Sequence, residues 1–292
     1  MKLVTFTTDG HDRLGILHET RGVLELPGDM LSFIAAGSSA LASARRALDT
    51  ALNAKNATWR TIGQVRLRAP IPLPRKNIFC VGRNYKAHII EGARARGREV
   101  VFPPVPEFFS KPPTTVIGPG DEIHLDTRWT QQLDYEVELA AVIGVRCRDL
   151  TPERALEAVF GYTIANDVSA RDAQQAHGQW FKGKSFDTYC PIGPCIVSAD
   201  EFGDPSGHRL SLKVNGEVRQ DSNTADMLFN LPQILASLSS GITLEPGDII
   251  ATGTPSGVAL GMSPQRWLQD GDLVEAEVEG IGRLQNRVKK VA

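Results

Sequence analysis

The chain has almost no charge of either sign to spare. Its 32 lysines and arginines stand against 34 aspartates and glutamates, a formal net charge of -2. With no basic block along its length, it lacks the electrostatic footprint of nucleic-acid or membrane-surface binding. Long apolar runs are missing too, and nothing approaches the length a membrane-spanning helix needs. The opening residues, Met1 to Thr7, turn polar too soon to be read as a secretory leader, so the expected compartment is the cytoplasm. Cysteine is scarce. Cys80, Cys147, Cys190 and Cys195 show no paired metal-binding spacing, and a chain of 292 residues has no need of disulfide staples, so they read as reduced, mostly buried thiols. What is present is ordinary for a folded protein. At 41% hydrophobic residues the chain can bury a sizeable core, enough for one large domain and a small one.

The sequence divides at Pro70, Pro72 and Pro74, which break regular structure and read as a linker between a small unit, 1–70, and a main domain, 71–292. In the small unit, Leu3 to Phe6 and Leu14 to Leu17 are strand-like, and a helix follows with Ser38 or Ser39 as its cap. Leu41, Ala44, Leu48, Ala51 and Leu52 recur along one face of that helix. In the main domain, strands are expected at Asn77 to Gly82, Ile123 to Leu125, Tyr135 to Ile143, Gly161 to Asp167, Ile249 to Thr252 and Leu273 to Val278. A further pair, Leu210 to Val214 and Glu217 to Arg219, is joined by the hairpin dipeptide Asn215-Gly216. Helices are few: Thr151-Pro152-Glu153 opens one, and Leu231 to Leu238 forms another, stopped by Gly241. The main domain is therefore mostly sheet, with helices as covers.

Two carboxylates interrupt the apolar run Tyr135 to Ile143. Side chains alternate along a strand, so Glu136 and Glu138 share a face, with Val137 and Leu139 opposite. Buried together, they repel and lose hydration unless a cation or protons compensate them; exposed, they would be ordinary surface residues. Asp167, at the end of the second run, supplies a third candidate oxygen donor. Separately, if Arg83 to Glu91 is helical, His88 and Glu91 share a face, and Glu91 can orient the imidazole. The polar stretch Gly92 to Glu99 then suits a mobile loop or lid.

Six stretches in this order resemble the fumarylacetoacetate hydrolase family over roughly Asn77 to Val288. They are Gly82-Arg83-Asn84-Tyr85 with His88 and Glu91; Phe109-Ser110-Lys111-Pro112; Asp134 to Glu138; Asn166 to Asp172; Gly183 to Asp187; and Gly253-Thr254-Pro255-Ser256-Gly257. The resemblance implies an α+β fold: a large mixed sheet rolled into a β-roll or sandwich under short covering helices, beside the small N-terminal domain. It further implies a homodimer and a divalent ion held by Glu136, Glu138 and Asp167. His88 and Glu91 would form an acid-base dyad with Lys184 beside them, and Arg83, Tyr85, Gln174 and Thr254 would contact substrate. Arg171 and Asp172 are expected to brace the loop after Asp167.

An all-carboxylate donor set favours Mg²⁺, with Mn²⁺ or Ca²⁺ next, over zinc. Such an ion can grip a 2-oxo acid and stabilise an enolate. The first expectation is a hydrolase that cleaves a carbon-carbon bond in an acylpyruvate-like diketo acid, with His88 activating water. The second is an isomerase or decarboxylase of hydroxymuconate-type or oxaloacetate-type dicarboxylates, and the third a non-catalytic ion-binding protein of the same fold. The intact His88 and Glu91 argue against the third.

Overall fold

The computed structural model describes residues 1–291. The run Val137–Ile143 is buried along its whole length, and it sorts its side chains into two cores. Val137, Leu139, Ala141 and Ile143 enter one; Ala140 and Val142 enter the other. An apolar run of this kind, with no polar face, belongs in the middle of a sheet covered on both sides. It lies sixth in the order Gly22–Leu26, His11–His18, Lys2–Thr8, Cys190–Ser198, Val159–Asn166, Val137–Ile143, Ile249–Ala251, Ile78–Gly82, Glu107–Lys111. The short strands Arg66–Leu67 and Val116–Ile117 complete this sheet of eleven. It is mixed: Ile249–Ala251 runs parallel to Ile78–Gly82, and the other long pairs are antiparallel.

A second sheet of five strands runs Glu217–Asn223, Arg209–Val214, Leu273–Val278, Gly282–Val291, Glu122–Asp126. Leu210, Leu212, Val274, Ala276 and Val278 join Leu139, Ala141 and Ile164 in the first core, between the sheets. The second core lies under the N-terminal helix, where Ile34 and Ala44 meet Leu3, Ile16, Cys80, Ala140 and Val142. The result is α+β, two large mixed sheets face to face with few helices and no closed barrel, as the resemblance implies.

The first 70 residues do not stand apart from the main sheet: Lys2 and Leu3 pair with Val197 and Ile196, so the N-terminal strands extend its edge. Two local expectations need correcting. The N-terminal helix spans Met30–Asn53, capped by Asp29, whose carboxylate accepts the Ser32 N–H; it breaks at Gly37 (φ 59°, ψ -134°) just before Ser38. The serines thus stand at the start of the second helical piece, which carries Leu41 to Leu52, but the helical residues Met30 to Ala36 precede them, and Ser39 Oγ donates back to the Ala36 carbonyl. The Thr151-Pro152-Glu153 start leads only to the single 3₁₀ turn Ala155–Ala158.

Candidate active site

Strand register brings the acidic residues together. Val137 pairs with Asn166 and Glu138 with Ala165, which sets Asp167 opposite Glu136 at the open end of the ladder. The Asp167 N–H donates to the Glu136 carbonyl at 2.9 Å, and the Glu136 N–H to Asn166 Oδ1 at 3.0 Å, so the junction is held from both sides. All three carboxylates are buried, and one oxygen of each of Glu136, Glu138 and Asp167 lies within 4.8 Å of the others. Oxygens around one ion at roughly 2.1–2.4 Å can be at most about 4.2–4.8 Å apart. The cluster therefore fits a hard divalent cation with little rearrangement.

Cationic side chains surround this cluster. Lys184 Nζ sits 2.7 Å from Glu136 Oε2 and 2.6 Å from Asp167 Oδ2. Lys111, fully buried, donates to Asp167 Oδ1 at 2.5 Å and to the Val168 carbonyl at 3.1 Å. Arg171 reaches Glu136 Oε1 at 2.5 Å and Asp134 Oδ2 at 2.8 Å. Among the described residues Glu138 has no such partner, and its Oε2 accepts the Gly253 N–H at 2.8 Å. The consequences for ionisation are opposite. Burial alone would raise Glu136, but Lys184, then Arg171 and His88, outweigh it and hold its carboxyl below the usual range. Burial, then Asp167 and Glu136, push Glu138 well above that range. Without a further cation, Glu138 is the carboxylate that holds a proton.

Small residues allow these approaches. A Cβ on Gly183 would lie 2.5 Å from backbone and side-chain atoms of Gln174, so only glycine lets the turn Phe181–Lys184 seat against the helix Arg171–Ala176 and carry Lys184 inward. At Gly253 φ is +97° and a Cβ would meet Asn84 Cβ at 2.7 Å. That glycine is what lets the backbone N–H face Glu138.

His88 and Glu91 lie on the helix Lys86–Ala95, as the spacing suggests, with His88 Nδ1 3.4 Å from Glu91 Oε2. The other oxygen of Glu91 accepts the Gly257 N–H at 2.9 Å and ties this helix to the Gly253-to-Gly257 loop. That helix also absorbs Gly92 to Ala95, which the sequence reading assigns to a loop. A cavity of about 350 Å³ joins the parts: Arg83, His88, Glu136, Glu138, Gln174, Lys184 and Thr254 all line it. Glu91 and Asp167 stand behind these. Tyr85 is not on the wall; its ring is buried, and among the described residues its hydroxyl has no hydrogen-bond partner. Thr254 Oγ1 donates to the Val137 carbonyl at 2.9 Å and accepts from Gln220 Nε2 at 2.8 Å, so its proton is committed to the scaffold. Arg83 pairs with Glu107 at 2.9 Å.

Sequence reading missed two participants. Lys111 lies inside the Phe109-to-Pro112 motif, and its signal was a lysine ending an apolar strand; Arg171 holds the loop after Asp167 by bonding Asp134, a partner not read from the sequence, and it also lines the cavity. Asp172 braces the same loop through Thr130 Oγ1 at 2.6 Å and the Gln131 N–H at 2.9 Å.

Face-to-face mixed sheets that bury an acidic triad beside a His-Glu pair define an enzyme scaffold. The chain belongs to the fumarylacetoacetate hydrolase family, whose C-terminal domain profile matches residues 77–289. Among its relatives is the oxaloacetate tautomerase YisK of Bacillus subtilis, 43% identical over 266 residues that cover 90% of this chain and 87% of that one. Among solved structures, a fumarylacetoacetate hydrolase from Exiguobacterium antarcticum is 43% identical with a TM-score of 0.83, and a 5-carboxymethyl-2-hydroxymuconate delta-isomerase from Mycobacterium smegmatis is 34% identical with a TM-score of 0.79. Both are covered completely, as is this chain. No helix among the described residues is long and apolar enough to cross a membrane.

Proposed function

We propose that the protein is a keto-enol tautomerase of a small 2-oxo dicarboxylic acid of the oxaloacetate type. The observation that carries this is the placement of His88, backed by Glu91, on the same small cavity as the buried acidic cluster. The names of the relatives support it: one is an oxaloacetate tautomerase and one an isomerase of 5-carboxymethyl-2-hydroxymuconate, an unsaturated hydroxy acid with three carboxylates. The alternative of carbon-carbon hydrolysis draws on the name of the Exiguobacterium protein.

Glu136, Glu138 and Asp167 would hold a divalent ion, with Mg²⁺ first and Mn²⁺ or Ca²⁺ next, since every donor is a carboxylate oxygen. When bound, such an ion supplies the positive charge that stabilises an enolate oxygen. The side chains supply the rest. Glu91 accepts the Nδ1 proton of His88, which leaves Nε2 with a lone pair to take a proton from C3 of the ketone. The C3–H electron pair becomes the C2=C3 double bond, and the carbonyl pair moves to the 2-oxygen, which takes its proton from solvent. In the reverse direction His88 returns the proton to C3. Lys184 and Arg171 place positive charge where the C1 carboxylate would lie, and the side-chain nitrogen of Gln174 offers a neutral donor.

Ketonisation of enol oxaloacetate, followed by loss of its ultraviolet absorbance with Mg²⁺ present, tests the proposal. The expected result is acceleration above the spontaneous rate, with His88→Ala lowering kcat by about 10²–10⁴-fold while ion binding persists. Failure to accelerate it, together with release of pyruvate from acylpyruvates, would replace tautomerisation by hydrolysis.

A further inference from the structure

Beside the acidic cluster the cavity wall carries four arginines, with Glu99 among them. Arg83, Arg96 and Arg98 line it, as does Arg171. Arg171 is committed to Asp134 and Glu136, and Arg83 to Glu107. Arg98 and Arg96 are different: among the described residues no carboxylate oxygen lies within 4.0 Å of either guanidinium, and of the two it is Arg96 that caps the His88 helix. Its Nη1 donates instead to the Gly92 carbonyl at 3.2 Å, one helical turn back. A Cβ at position 92 would stand 3.1 Å from Nη1, so a larger residue there would displace the guanidinium slightly. Desolvation, then Arg171 and Arg98, hold Arg96 below the usual arginine range against the opposing pull of Glu136, although the side chain still reaches solvent; it is crowded by like charges and has no paired counter-ion. An anion entering the cavity would supply one.

We infer that Arg96 receives the second carboxylate of the substrate, the one remote from the acidic cluster, and so sets a preference for dicarboxylic over monocarboxylic 2-oxo acids. This rests on the tautomerase reading for the identity of the substrate, but not for the binding itself. Arg96 follows the His88 helix directly, so a ligand bridging Arg96 and the Lys184 end spans the reach of His88. Arg96 is a specificity residue in this scheme and takes no part in proton transfer.

Calorimetric titration of the Mg²⁺-loaded full-length protein with oxaloacetate and with 2-oxobutanoate tests it. The wild type is expected to bind the diacid at least about tenfold more tightly, and Arg96→Gln to lower that ratio by about tenfold or more. Arg96→Lys should keep part of the ratio, and Arg94→Gln, at an exposed position off the cavity wall, should keep all of it. In turnover, the Arg96→Gln loss should fall on KM. An absent preference in the wild type, an unchanged ratio in Arg96→Gln, or an equal loss in Arg94→Gln would overturn the inference. The inference is read as a ratio of affinities and the tautomerase reading as a rate of ketonisation, so the two ideas fail separately. An Arg96-dependent preference without ketonisation would sink only the tautomerase reading, and ketonisation without that dependence only the role of Arg96.

Discussion

Glu138 is the residue on which the electrostatics of the site turn. Glu136 and Asp167 have lysine or arginine partners; Glu138 has one backbone N–H and two like charges. Its folded pKa is raised, so its contribution to stability is fully present below its unfolded value near 4.5 and is lost as pH rises through the folded one. Above that value the ionised side chain works against the metal-free fold. Glu138→Gln removes the charge and leaves an oxygen to accept the Gly253 N–H. The expected outcome in calorimetric melting is a metal-free Tm at or above that of the wild type near neutral pH, with the gain gone below about pH 4. Stabilisation by Mg²⁺ should be lost in the variant. In the wild type it should grow as pH rises through the raised folded value, since an ion must displace the Glu138 proton. A metal-free variant much less stable than the wild type would show that Glu138 is held by contacts the ion does not need.

The same residues show how much of the site was legible in advance. Alternation along Tyr135 to Ile143 was enough to put Glu136 and Glu138 on one face, and i, i+3 spacing enough to pair His88 with Glu91. Lys111 escaped because a lysine at a strand end is ordinarily a surface charge, and only the fold shows Asp167 waiting for it.

At the scale of elements, the site depends on close seating of short helices. The turn Phe181–Lys184 packs on the helix Arg171–Ala176 through Gly183, so Gly183→Ala must push the two apart or bend them. Overpacking of this kind costs about 1–3 kcal/mol. The expected outcome is that loss in denaturant unfolding, and a fall in kcat larger than the stability loss explains, because Lys184 leaves Glu136 and Asp167. Full activity at reduced stability would free Lys184 from any role. Hairpins and buried strands were readable here because their signals are local: Asn215-Gly216 does join Arg209–Val214 to Glu217–Asn223. The start of the N-terminal helix was not, because the glycine that interrupts it hides the first turns from any pattern read downstream.

For the whole molecule, the question is whether residues 1–70 form an independent unit. Proline spacing suggested a boundary, but sheet pairing is non-local and leaves no mark in composition. Lys2–Thr8 continues the large sheet beside Cys190–Ser198, and Leu3, Ile16 and Ile34 share a core with Cys80, Ala140 and Val142. The expected outcome is one cooperative unfolding transition in which fluorescence of Trp59, in the N-terminal segment, and of Trp180, beside the cavity, change together in single-tryptophan variants. Two separated transitions would show that the N-terminal unit folds on its own. The second sheet plays the matching part on the other side, where Gln220 holds the Val137 N–H and Thr254 Oγ1 and so fixes the strand that carries both glutamates.

Proton transfer at a 2-oxo acid needs an electron sink next to His88, and the acidic cluster supplies one only if its members share a cation. Anomalous diffraction from crystals soaked in Mn²⁺ tests this most directly. The expected result is a single strong peak at about 2.0–2.4 Å from carboxylate oxygens of Glu136, Glu138 and Asp167, with Lys184 Nζ moved off at least one of its two partners. No peak there at saturating Mn²⁺, with Lys184 still bridging Glu136 and Asp167, would contradict it.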